Sequence, residues 1–259
     1  VKITVVGGTG LIGTRVVRLL RSQGHDVVAA ARATGVNSYT GEGLPEALEG
    51  ASVVVDVSNS SYVDEAAARE FFYASTLNLL TYGDAAGVGN HVSLSVVGTD
   101  RLARAQGGYF IAKQQQERLI ATSGRPFSLV HSTQFFEFIR AIADSAVADR
   151  STHLPDVQVR PIAADDVASA IVDATMIAPT GVVNEIAGPE VFGLLELATM
   201  DLRYRQDDRE VAPDPLGTYF GARLQRTDLL PGDDVRIMPT RYHEWRMAER
   251  VPDWPLAER

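Results

Sequence analysis

The sequence predicts an α/β fold: a doubly wound parallel Rossmann sheet with a small C-terminal substrate lobe. Two patterns and one length carry this reading. Apolar strand-like runs alternate with helix-periodic stretches from residue 2 to residue 145. A glycine-rich turn, Gly7, Gly10 and Gly13 in GxxGxxG spacing, stands at the first junction of strand and helix. The chain has 259 residues, enough for one large domain of this kind. We therefore read 1–259 as a single NAD(P)-binding Rossmann domain in which residues from about 132 to 259 supply the substrate side.

Residues 2–6 (KITVV) read as the first strand, and from Leu11 the apolar positions shift to helical spacing. A side chain in the turn would keep the backbone from approaching a pyrophosphate. The helix beginning near Leu11 points its free N–H groups and positive dipole end toward such a group. This assigns Gly7, Thr9, Gly10, Leu11, Ile12 and Gly13 to cofactor binding.

Asp26–Ala31 reads as a buried second strand ending at Arg32. An acid here would take a ribose 2′-hydroxyl, whereas an arginine suits a 2′-phosphate or stands as a solvated loop residue. Taken as a ligand, Arg32 favours NADP(H) over NAD(H), with Ser38 and Arg15 as helpers. Residues 36–39 read as a short strand and GLPEALEG as a short helix. Ser52–Val57 is an apolar run expected in a buried parallel strand. It leaves Val57, Ser58 and Asn59 at the carboxyl edge, where open sheets hold ligands. Asp64–Ala86 reads as a long helix, Val92–Val97 as a strand, 107–123 as a helix and Phe127–His131 as a strand. A helical segment follows from Gln134. The strand order expected is 3-2-1-4-5-6. Val157–Ile162 and Val182–Ile186 read as further strands, and Asp165–Thr175 as a helix with acidic caps. Residues 201–240 are charged and rich in Pro and Gly, with short helices at best.

Composition narrows the function. A net charge of −9 argues against binding nucleic acid by bulk electrostatics. No apolar run reaches the about 18 residues of a membrane span, and no leader precedes the first strand, so a cytoplasmic location is expected. There is no cysteine, which removes disulfides and thiolate chemistry. The five His lack ligand spacing, so no metal is expected. The expected partner is a small-molecule substrate, and oligomeric state is left open.

Of 24 basic residues only Lys2 and Lys113 are lysine, and Lys113 lies four residues after Tyr109. On a helix that spacing puts both on one face. A phenol near pKa 10 is a poor acid–base group at neutral pH, and an ammonium beside it lowers that value. Tyr109 then passes a proton to a substrate oxygen as hydride reaches the carbon, Lys113 holds the nicotinamide ribose, and Ser95 hydrogen-bonds the carbonyl. The plain alternative is a surface Tyr and Lys. Phe135, Phe136 and Phe138 read equally as a pocket wall or as core.

GGTGLIG at 7–13, Arg32, LSVVG at 94–98, YFIAK at 109–113, STQFFEF at 132–138, RPIAADDVA at 160–168 and EIAGPE at 185–190 resemble the atypical short-chain dehydrogenase/reductase superfamily. More narrowly, they are similar to its NmrA-like, NAD(P)H-binding branch. The resemblance covers most of residues 1–190. It implies a Rossmann core, a variable C-terminal lobe, NADP(H) more often than NAD(H), and Tyr109 with Lys113 as the active pair. The function expected is an NADPH-dependent oxidoreductase reducing a small, largely apolar carbonyl or quinone. The branch also implies an alternative, a non-catalytic NADP(H)-sensing regulator. An epimerase using bound NAD transiently is a third option, against which Arg32 speaks.

Overall fold

The computed structural model describes residues 1–62, 64–148 and 151–248. In chain order the elements are β1 (Lys2–Val6), α1 (Leu11–Ser22), β2 (Asp26–Ala30), α2 (Leu44–Leu48), β3 (Val53–Asp56), α3 (Glu65–Ala85) and β4 (Asn90–Val96). Then come α4 (Thr99–Arg104), α5 (Gly108–Thr122), β5 (Phe127–Ser132), α6 (Ile139–Ser145), β6 (Val147–Ala148), β7 (Ser151–Leu154) and β8 (Gln158–Val159). The chain continues through α7 (Ala164–Met176), β9 (Val183–Ala187), β10 (Phe192–Gly193), α8 (Leu194–Tyr204), β11 (Glu210–Pro213), β12 (Arg236–Ile237) and α9 (Tyr242–Ala248).

The main sheet has seven strands in the order β12-β9-β5-β4-β3-β1-β2, all parallel. Its inner strands β1 and β3 are buried on both faces, which is why they read as apolar runs. α1 and α7 cover one face: Ile12, Val16 and Leu20 of α1 join Val167 and Ile171 of α7 over Ile3, Val5, Val55 and Val130. α3 and α5 cover the other, with Phe72, Phe110 and Ala112 at its centre. α2 closes a smaller cluster with Val6, Ala30 and Leu79.

The expected order 3-2-1-4-5-6 is corrected at its first member. Residues 36–39 form no strand; Asn37 makes a single bridge to Glu42. Gly41 and Gly43 both take positive φ there, folding the segment back on itself. β2 is therefore the edge, and β9 and β12 extend the opposite side. Val157–Ile162 shortens to β8, paired with β10. The acidic caps expected for α7 are also corrected. Its N-cap is Ala163. Asp165 instead pairs with Arg15 and Arg18, and Asp166 accepts from the Thr240 N–H and hydroxyl.

Beyond β9 the chain is more regular than its composition suggests. Leu194, Leu197 and Ala198 of α8, Tyr219, Leu229, and Tyr242 with Trp245 of α9 share one core with Tyr109 and Phe110. Asp201 of α8 is buried between Arg205, at 2.8 Å, and Arg246 of α9. Residues 249–259 of the expected substrate side lie outside the described residues.

Candidate functional site

Two loops and one helix meet at the carboxyl edge of β1, β3 and β4. The first loop is the glycine turn. Gly7 has φ +78°, and a Cβ there would stand 2.8 Å from the Ser58 backbone nitrogen. A Cβ on Gly13 would stand 2.1 Å from the Gly7 carbonyl oxygen, so this glycine lets α1 press onto the turn. Gly10 differs: only the Gly7 oxygen, at 3.3 Å, lies near its missing Cβ. Its bare side is the open one. No side chain caps α1 and no acid occupies its first turn, so the leading N–H groups stay free for an anion. Ile12 is buried in the core and Thr9 is exposed at the turn, so Leu11 and Ile12 offer backbone here.

Arg32 is exposed just past β2 and makes no ion pair or side-chain hydrogen bond among the described residues. Its guanidinium is available to an anion at that edge. The helpers expected for it are corrected. Arg15 is held 3.2 Å from Asp165 and lies 3.8 Å from Glu137, on the α7 side. Ser38 is buried and bonded to the Ser75 hydroxyl at 2.8 Å. These donors fit the phosphates of a dinucleotide: bare backbone at Gly10, uncapped N–H groups on α1 and, among the described residues, an unpaired guanidinium at Arg32.

The second loop follows β3. Asp56 is 1% exposed, and its carboxylate accepts from the Ser58 N–H at 3.0 Å, the Ser58 hydroxyl at 2.6 Å and Gln116 Nε2 at 2.9 Å. Lys113 Nζ donates to Gln116 Oε1 at 2.5 Å and to the Leu94 carbonyl at 2.8 Å, and lies 4.7 Å from the centre of the Phe72 ring. A buried polar chain thus runs from Lys113 through Gln116 and Asp56 to Ser58, fixing α5 against the loop. Burial lowers the Lys113 ammonium to about 8, while the charges of Asp56 and Glu117 work the other way.

Tyr109 opens α5 and is 4% exposed. Its hydroxyl donates to Asn59 Oδ1 at 2.7 Å, and Asn59 Nδ2 donates to the Tyr62 hydroxyl at 2.8 Å. Here the expectation of a lowered phenol is corrected. Burial raises Tyr109 well above its ordinary value, with Tyr62 and Tyr219 adding to the rise. Lys113 shares its helical face but spends its protons on Leu94, Gln116 and the Phe72 ring. Tyr109 is therefore a protonated donor at neutral pH.

Ser95 is not brought to Tyr109. Its hydroxyl bonds Glu117, eight residues further along α5, or about 12 Å of helix. Glu117 also faces His131 Nε2 at 3.1 Å. Burial opposes its ionisation, but His131, Ser95 and Lys113 together hold it below the usual carboxylate range. The three phenylalanines divide. Phe136 is 2% exposed and packs on Tyr242 and Trp245 as core. Phe135 and Phe138 are half-buried and stacked at 5.2 Å, and Phe138 meets Tyr62 edge-on at 5.9 Å. Phe220 adds a ring 5.0 Å from Tyr62. Phe138 and Phe220 thus pack on Tyr62, whose ring lies 4.5 Å from that of Tyr109.

Sequence reasoning placed Asn59 at this edge without a role and missed Tyr62, Asp56, Gln116 and Phe220. Gln116 and Glu117 carried a signal: they follow Lys113 by three and four residues, on the same face of α5. Nothing local marks Phe220, whose place is set by tertiary packing.

The parallel sheet with helices on both faces and the glycine turn leading into α1 give the chain a Rossmann-like α/β fold. Residues 3–84 match the NAD dependent epimerase/dehydratase family. Over 110 residues the chain is 31% identical to the photosystem II assembly factor Ycf39 of Synechocystis sp. (strain ATCC 27184 / PCC 6803 / Kazusa). That match covers 37% of this chain and 34% of the relative, so it spans about a third of that protein's length. Among solved structures the fold is similar to MoeE5 in complex with UDP-glucose and NAD, at TM-score 0.68 and 18% identity over 88% of both chains. It is also similar to the UDP-glucose 4-epimerase of Thermus thermophilus in complex with NAD, at TM-score 0.65 and 16% identity over 89% of this chain and 90% of that one. RMD from Pseudomonas aeruginosa complexed with NADPH matches at TM-score 0.63 and 16% identity, over 88% and 89%. The N-terminal third carries the family match, and the solved structures share the fold of the whole, in line with the resemblance to the atypical short-chain dehydrogenase/reductase superfamily. Among the described residues no helix is long and apolar enough to cross a membrane.

Proposed function

We propose that the chain is an NADPH-dependent reductase of a small, largely apolar carbonyl or quinone, of the NmrA-like kind, working as one unit with residues from about 132 onward forming the substrate side. The observation that carries it is the buried Tyr109, whose ring lies 4.5 Å from that of Tyr62, itself packed on Phe138 and Phe220. Gly7, Thr9, Gly10, Leu11, Ile12 and Gly13 hold the diphosphate, Val57 and Ser58 border the adenosine side, and Arg32 takes the 2′-phosphate. The cofactor, when bound, supplies hydride to the substrate carbon. Tyr109 gives its proton to the substrate oxygen as charge develops there. Lys113, protonated below about 8, reaches a ribose hydroxyl by turning one N–H from Leu94 or Gln116. The rings exclude water and favour a flat, apolar substrate. Ser95 acts on substrate only if it leaves Glu117, so we place it outside the reacting group.

NADPH and NADH are assayed against a panel of ketones, aldehydes and quinones, with Tyr109→Phe and Lys113→Ala as controls. Loss of turnover in both variants, with cofactor binding kept, supports the reading. Turnover indifferent to both variants overturns it. Tight cofactor binding without hydride transfer to any acceptor points to the sensing alternative. The match over residues 3–84 favours a second reading, epimerisation of a nucleotide sugar. Interconversion of UDP-glucose with its 4-epimer, without net consumption of the nicotinamide cofactor, distinguishes it.

A further inference from the structure

A buried acid that donates on every turnover must be recharged. The Tyr109 hydroxyl donates its hydrogen bond to Asn59 Oδ1, at 2.7 Å. Lys113 is turned away from this hydroxyl, with its hydrogen bonds on the Leu94 carbonyl and Gln116 and its remaining face on Phe72. The same Asn59 amide donates to the Tyr62 hydroxyl at 2.8 Å, and the Tyr62 ring lies 4.5 Å from the Tyr109 ring. Asn59 is exposed and Tyr62 half-buried whereas Tyr109 is buried, so the Asn59–Tyr62 side of the pair lies nearer to solvent. Burial raises both phenols, so both rest protonated at neutral pH, and each hydroxyl lies near enough to alter the other's hold on its proton.

We propose that Tyr62 recharges Tyr109 and that Asn59 is the positioning residue that holds the two hydroxyls together. This rests on the reading of Tyr109 as the acid. The Tyr109 O–H bond breaks as its proton passes to the substrate oxygen, leaving a phenolate. The Tyr62 O–H bond then breaks, its proton forms the new O–H bond on Tyr109, and the Tyr62 phenolate takes a proton from water. No oxidation state changes in the relay.

Tyr62→Phe keeps the ring contacts with Tyr109, Phe138 and Phe220 and removes only the hydroxyl. In the full chain, the single-turnover rate with NADPH and a reducible quinone stays within about twofold, since the first proton is already in place, whereas the steady-state rate falls about tenfold. Imidazolium added as a small external acid restores the steady-state rate in a concentration-dependent way, and Asn59→Ala behaves alike. Equal falls in both rates, or no fall in either, overturn the proposal, as does a slowed steady state that ignores added imidazolium. If wild-type protein turns over no acceptor, the reading of Tyr109 as acid fails separately. The coupling is then read by tyrosinate absorbance, wild type against Tyr109→Phe. Tyr62→Phe lowers the pH at which Tyr109 ionises, and an unchanged titration sinks the link between the phenols.

Discussion

The carbonyl oxygen of Gly7 stands where a side chain on Gly13 would have to be: a Cβ there would lie 2.1 Å away. At Gly10, three residues earlier, a Cβ meets only that same oxygen, at 3.3 Å, which a shift of a few tenths of an ångström relieves. The two glycines of one motif therefore separate a folding requirement from a binding requirement. Gly13→Ala forces α1 off the turn and lowers the melting temperature together with cofactor affinity. Gly10→Ala, at an ordinary φ of −81°, keeps the melting temperature within a few degrees. It weakens NADPH binding by about tenfold or more, because the methyl fills the side open to the diphosphate. Thermal melts and fluorescence titration of both variants check this pair.

Arg32 has no side-chain partner to lose among the described residues, so removing it tests the ligand alone. Arg32→Ala leaves stability unchanged and weakens NADPH binding by about 10- to 100-fold, the worth of a charge-assisted hydrogen bond, with NADH affinity within about twofold. Equal loss for both cofactors would show that the guanidinium does not meet the 2′-phosphate.

Lys113 gives the protein a pH signature of stability. Its folded value is about 8, against 10.5 for an unhindered lysine. Between these the unfolded chain binds more protons than the folded one, so stability rises with pH through this window and is lowest, by about 3 kcal/mol, below it. The buried tyrosines oppose this only above about pH 10, where unfolded phenols ionise. Denaturant melts from pH 8 to 10 follow the rise, and Lys113→Met, which carries no charge, flattens it. An unchanged slope in the variant rules Lys113 out as its source.

Phe136 and Phe138 are two residues apart and answer differently. Phe136→Ala opens a cavity against Tyr242 and Trp245 and costs about 3–5 kcal/mol. Phe138→Ala costs less than half of that and raises the KM for apolar acceptors, because the half-buried ring faces Tyr62. Comparing denaturant midpoints with acceptor KM values tests the division.

The sequence alone determined the strand and helix alternation through β5, the glycine turn, and the placing of Tyr109 and Lys113 on one helical face. These depend on periodicity and short spacing, which are local. It could not determine what each side chain would meet. Ser95 sits on the strand where expected, yet Glu117 from α5 takes its hydroxyl. The Tyr109 and Lys113 spacing is as read, yet burial reverses the expected shift of the phenol, because burial depends on how α5 lies against the sheet and the later segments. Arg15 and Ser38 were spent on Asp165 and Ser75, partners distant in the chain. The third strand failed because turn geometry at Gly41 and Gly43 outweighed a weak local preference. That Asn59 and Tyr62 meet the phenol, and that Phe220 packs on Tyr62, was decided only by tertiary packing, since no local pattern encodes an approach between segments more than a hundred residues apart.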